Sequence, residues 1–173
     1  MALELIAAIV AAIAMAGIAM MLRKLSRGRL PKWIVPLAAG AGLLGFTVWS
    51  EYDWFSRVAG ELPAGVIVVS ADAGASPLRP WSYLVPMTTS FVAMDTNATV
   101  AHPDAPTLRL ARLFSFVRWQ GASEGLMIVD CAGGRQVFLT AGILVTPTGE
   151  VTGGDWVIAG PDQPIHQAAC GEG

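Results

Sequence analysis

Lysine is almost missing from this 173-residue chain: Lys24 and Lys32 are the only two. Charged residues of all kinds make up 14%, where a soluble domain usually carries about a quarter. Everything beyond Glu51 is net acidic, which excludes the basic electrostatic footprint of a nucleic-acid binder. Histidine and cysteine are also scarce, at two each. His102 and His166 have no histidine or acidic partner at metal-ligand spacing, and a zinc site wants three or four converging ligands. Ser70, Ser82, Ser115 and Ser123 lack a Gly-x-Ser-x-Gly setting. The pairs Gly133-Gly134 and Gly153-Gly154 lack the strand-to-helix context or following lysine of a phosphate loop and read as turns. Asp130 adjoins Cys131, but a strand sends neighbouring side chains to opposite faces. A catalytic reading would need distant groups such as Asp95, His102 and Asp130 to converge. The sequence nominates no catalytic residue, metal site or cofactor, and the expectation is a protein that is not an enzyme.

What the chain has in excess is apolar surface, at 54% hydrophobic residues, and it is concentrated at the front. No charge occurs from Leu5 to Leu22 or from Trp33 to Ser50. Each run of about 18 residues suffices to cross a hydrocarbon core about 30 Å thick as a helix. The link between them holds Arg23, Lys24, Arg27, Arg29 and Lys32. Short basic loops stay in the cytoplasm, so the N-terminus and everything after Ser50 are expected outside. Trp33 marks one interface, and Trp49, Tyr52, Trp54 and Phe55 mark the other. A cleaved signal peptide with a site at Ala14-Met15-Ala16 is the competing reading. Charge argues against it, because Glu4 precedes the apolar run and the basic cluster follows it.

Small residues recur every fourth position at Ala8, Ala12 and Ala16, at Ala38 and Gly42, and at Ala41 and Gly45. Such spacing lets helices approach closely in lipid, either within the hairpin or against another membrane protein. Neither run contains an ionisable residue, so an ion path or proton relay has no candidate groups.

The predicted organisation is a two-helix membrane hairpin over 1–55, with spans 4–22 and 33–50 and the link 23–32, followed by one domain over 56–173. The helix is expected to run on for a turn or two beyond Ser50 until Pro63. Pro and Gly breaks from Pro63 to Pro161 then separate short β-branched and aromatic runs at 66–69, 90–94, 126–131, 136–140, 143–146 and 156–159. Residues 108–119 fit either a helical stripe or a strand, and their aromatic end favours a strand. The tail 162–170 suits one short helical turn capped by Asp162. The fold class is thus a membrane α-helical hairpin plus an α+β domain dominated by a small antiparallel sheet.

Outside the cytoplasm Cys131 and Cys170 are expected to pair, closing a loop of about 40 residues, with two buried thiols or a redox pair as alternatives. The stretch Pro77 to Pro86 is expected to be extended and stiff through its prolines. Its Arg79, Trp81 and Tyr83 are residue types that dominate interface hot spots, so they are the candidate partner-binding residues. The alternative places Trp81 and Tyr83 in the core with Arg79 stacked on a ring.

The segment Val129-Asp130-Cys131-Ala132-Gly133-Gly134-Arg135, the strand run after it, Gly153-Gly154-Asp155-Trp156 and the closing Cys170 resemble the surface-adhesin E-like domains of bacteria, over residues 107–170. The resemblance implies a compact α+β module that binds other macromolecules, with Cys131 and Cys170 as the matching pair. The hairpin departs from that family and would hold the domain at an inner membrane. Taken whole, the chain resembles a two-span bacterial inner-membrane protein. The expected function is a non-catalytic accessory or assembly subunit with a periplasmic interaction domain, its partners the bilayer and a larger membrane protein. A periplasmic binding module for a small ligand or envelope polymer is the alternative.

Overall fold

The computed structural model describes residues 2–27, 29–75, 77, 79–160 and 162–171. Leu78, inside the proline-rich stretch, and Pro161, among the expected breaks, lie outside the described residues. The chain forms two compact units, Met1–Ser56 and Arg57–Gly173.

The first unit consists of α1 (Ala2–Leu25) and most of α2 (Ile34–Gly60). Both helices are long and apolar enough to cross a bilayer. Arg23 and Lys24 fall in the last turn of α1, where positive charge meets the negative end of the helix dipole. Arg27 in the left-handed region, at φ 54°, turns the chain out of the helix. Arg23 Nε then donates to the Leu30 carbonyl at 3.3 Å, tying the basic link to the helix end.

Gly42 of α2 lies close against α1. A Cβ built there would lie 2.6 Å from Met15 Cγ and 3.0 Å from the Ala11 carbonyl oxygen. Ala8 and Ala19 are buried, while Ala12, Ala16 and Ala38 are half-buried. Ala8, Ala12, Ala16 and Ala19 are thus among the less exposed alanines of α1, and Met15 beside them meets Gly42. Ala41 and Gly45 are exposed, and a side chain at Gly45 would meet nothing within 4 Å.

The second unit is a curled antiparallel sheet of order β1-β2-β3-β4-β5-β8, with a small separate ribbon β6-β7 and one short helix. Its strands are β1 (Val66–Gly74), β2 (Met87–Ala101), β3 (Leu108–Val117), β4 (Ser123–Asp130), β5 (Arg135–Phe138), β6 (Leu144–Val145), β7 (Val151–Thr152) and β8 (Val157–Ile158). The ambiguous stretch 108–119 is mostly strand β3, as its β-branched and aromatic end favours. β2 runs well past the expected 90–94 because a bulge absorbs its polar middle. There Asp95 Oδ1 accepts the backbone N–H groups of Asn97 at 3.0 Å and Ala98 at 3.2 Å. Thr96 donates to the Gly65 carbonyl through both its backbone N–H and its hydroxyl, and Asn97 Nδ2 donates to the Ala64 carbonyl. The segment that leads into β1 is thereby stitched to the centre of the sheet.

Strand alternation sorts the core into two layers. One face carries Met94, Ala111, Leu113, Met127 and Val129, packed against Ile165, Ala168 and Ala169 of α3 (Pro164–Cys170). The other carries Leu108, Leu110, Ile128 and Val137, packed against Ile143, Val151 and Trp156.

Two local expectations are corrected. The stretch around Trp81 is not extended: Pro80–Tyr83 is a 3-10 turn, with the backbone N–H and hydroxyl of Ser82 both donating to the Arg79 carbonyl. Proline at the first position of a turn suits such a helix as well as it suits an extended chain. Asp162 does not cap the tail helix, which starts two residues later with Pro164 and has Gln163 as its N-cap, without a side-chain cap bond. β7 falls outside every expected strand run, because a strand of two residues in the three-residue gap between Gly149 and Gly153 leaves no periodicity to read.

Candidate functional site

Cys131 follows β4 immediately and Cys170 ends α3, and the two form a disulfide with Cα atoms 5.7 Å apart. A helix of seven residues is too short to persist alone in water, so its docking depends on tertiary bonds. Besides the disulfide, Arg109 Nη1 donates to the Ala169 carbonyl at 2.9 Å. Arg109 Nε, Gln136 Oε1 and His166 Nε2 are buried with no partner among the described residues, a situation that ordered water usually relieves.

The motif Asp130 to Arg135 is a strand-connecting turn held by its first residue. Asp130 Oδ1 accepts the Gly133 backbone N–H at 2.9 Å, and Oδ2 pairs with Arg135 Nε at 2.9 Å. Arg135 also lies over the Trp156 ring, 4.6 Å from its centroid. Burial pushes the Asp130 carboxyl up, but the Gly133 N–H, the Arg135 hydrogen bond and charge, and the Ala132 N–H together hold it below the ordinary carboxylate value. A depressed pKa stabilises the fold above the unfolded value and is lost as pH falls through the folded one. Asp130→Asn should therefore cost about 1 kcal/mol at pH 7, and the gap should begin to narrow below about pH 4 and close only once pH passes the lower folded-state value, as chemical denaturation at each pH would reveal. A gap independent of pH would refute this role.

Asp95, His102 and Asp130, an example of distant residues that could converge, each bond within their own turns. Asp95 caps the β2 bulge, Asp130 closes the β4–β5 turn, and His102 Nδ1 accepts the Asp104 N–H at 3.3 Å. Among the described residues no three His, Cys, Asp or Glu side chains gather as a metal site requires.

Two surface features remain. The first is the 3-10 turn between β1 and β2. Leu84 is 87% exposed, Tyr83 63%, Val85 57% and Trp81 38%, so four apolar or aromatic side chains within five residues face outward. Arg79 Nη1 donates to Met87 Sδ at 3.3 Å at the base of the same turn. The second is an apolar cleft of about 290 Å³ between the sheet and the β6–β7 ribbon. Its walls are Val100, Leu108, Leu110 and Ile128 from β2, β3 and β4, with Leu139 and Val145 opposite. The ribbon is fixed over the β2–β3 turn at Gly149, whose φ of 82° suits glycine and where any side chain would run into Ala105. A second cleft, of about 270 Å³, is lined by Leu62, Pro63, Asp95, Asn97, Phe114 and Phe116, and its polar groups are those that hold the β2 bulge.

Comparison of the chain with family models, curated proteins and solved structures finds no match. The geometry alone carries the functional argument. Of the residues singled out from sequence, Trp81 and Tyr83 share the outward turn, with Arg79 at its base. The cleft went unread, because Val100, Leu110, Ile128 and Val145 come from four strands and each looks like ordinary core.

Proposed function

We propose that this chain is a non-catalytic accessory or assembly subunit of a membrane protein complex. In this reading α1 and α2 span a bacterial inner membrane, the basic link lies in the cytoplasm, and the N-terminus and β-rich domain lie in the periplasm. Arg23, Lys24, Arg27, Arg29 and Lys32 in one short link support the orientation. The Cys131–Cys170 disulfide supports it independently, since such bonds persist in oxidising compartments.

The observation that carries the interaction role is the outward turn Trp81–Val85. Exposed side chains of this size, carried close in sequence on a pre-shaped turn, are the usual core of a protein–protein contact. The proposed occupant is a larger membrane protein that presents an apolar face to the turn, with the exposed Ala41 and Gly45 offered to its spans. Extraction of the tagged protein in mild detergent should recover a stoichiometric membrane partner by mass spectrometry. Leu84→Asp and Tyr83→Asp should each lower that recovery at least tenfold. Wild-type protein recovered alone, or variants that keep the partner, would contradict the assignment.

The 290 Å³ cleft favours a second reading, in which the domain is a tethered binding module for a small ligand.

A further inference from the structure

We infer that the cleft between β2–β4 and the β6–β7 ribbon is a binding site for a single lipid acyl chain. The cleft wall is carbon: Val100, Leu108, Leu110, Ile128, Leu139 and Val145 supply it. Its two polar neighbours turn little of their polarity towards it. His102 Nδ1 accepts the Asp104 N–H, and the Arg109 guanidinium belongs to the opposite face of the sheet, where it holds the Ala169 carbonyl. A peptide or heterocycle placed there would bury polar atoms without partners, which is costly, whereas a hydrocarbon loses nothing.

Size narrows the choice further. An apolar cavity of about 150 Å³ takes up a six-carbon ring, so the volume here suits about ten to twelve carbons. The mouth is apolar as well, since of the lining residues Val100 is 61% exposed and Val145 41%. A chain entering end-on covers that rim and leaves its polar head in water. Dependence on the proposed membrane location is limited to where the chain comes from.

The test uses the full-length protein in lipid nanodiscs with two photoreactive probes. One is free dodecanoic acid carrying a terminal diazirine, and the other is the same chain esterified in phosphatidylethanolamine. Peptide mass spectrometry after irradiation should place adducts on residues 100–110 and 139–145. Labelling there should exceed that of the equally apolar, exposed edge Val157–Ile158 at least tenfold. Val100→Trp and Val145→Trp fill the cleft from its exposed rim, where folding tolerates bulk, and each should reduce the cleft adducts at least tenfold. Labelling by the free acid alone assigns a fatty acid as source, and labelling by the ester assigns a phospholipid. Cleft labelling no greater than at Val157–Ile158, or unchanged in both tryptophan variants, overturns the site. Adducts from the esterified probe on α1 and α2 report the membrane location separately, so failure of that reading is distinguishable from failure of this one.

Discussion

Cys131→Ser together with Cys170→Ser is expected to lower the melting temperature of the domain by about 12 °C, the largest single effect in the molecule. The bond closes a separation of 39 residues, and chain-entropy reasoning assigns a loop of that size about 3–4 kcal/mol. For a unit of this length, 3 kcal/mol corresponds to roughly that temperature shift. The effect extends beyond the entropy of the denatured chain. α3 has seven residues and cannot hold its own helix, yet Ala169 is fully buried and Ile165 and Ala168 pack on Met94, Leu113 and Met127. Without the bond, α3 is held by the Arg109 contact and that packing alone. The double variant should therefore also expose apolar surface before it melts, read as added binding of an environment-sensitive dye. An unchanged melting temperature on reduction would mean that packing alone holds the helix.

Gly42→Ile is the second large effect, and it falls in the other unit. The Cβ position already lies within 3.0 Å of Met15 side-chain atoms and of the Ala11 carbonyl oxygen, so a branched side chain has to push the helices apart. Overpacking of this kind costs about 1–3 kcal/mol, and small residues are the means by which helices in lipid come close at all. Gly45→Ile, three residues on and facing open space, is the matched control and should be near neutral for the isolated protein. Midpoints of denaturation by dodecyl sulfate in mixed micelles separate the two. Equal midpoints would place the close approach elsewhere. If Gly45 faces a partner helix, its substitution should instead weaken co-purification.

The parts of this structure that were legible in the sequence are those with a long period or a chemical constraint. Two charge-free runs flanking a basic link need no tertiary information, because bilayer thickness and helix rise set their meaning. The cysteines were legible because only two exist, and the basic link sets the expectation of an oxidising compartment, where such a pair bonds. Strand ends were less so. β2 continues through Asp95, Asn97 and Ala98, residues with little strand preference of their own, because a bulge and bonds to Ala64 and Gly65 hold the segment in place. The turn at Pro80 was misread as extended because proline fixes φ at a value common to both conformations. The cleft was illegible for a different reason. A depression between Leu110, Ile128 and Val145 depends on how a two-residue ribbon folds back over the sheet, and that is set by the Gly149 contact with Ala105 rather than by any pattern along the chain.

The central claim, a domain held outside by two spans that loop through the cytoplasm, can be tested through the scarcity of lysine. Lys24 and Lys32 both lie in the link, and the domain has none. A membrane-impermeant amine reagent applied to sealed spheroplasts should leave both lysines unlabelled and modify them only once the membrane is opened. Under the same conditions a lysine introduced at the exposed Ile158 should react at once. Labelling of Lys24 and Lys32 in sealed spheroplasts, with the Ile158→Lys position protected, would reverse the orientation and contradict the account.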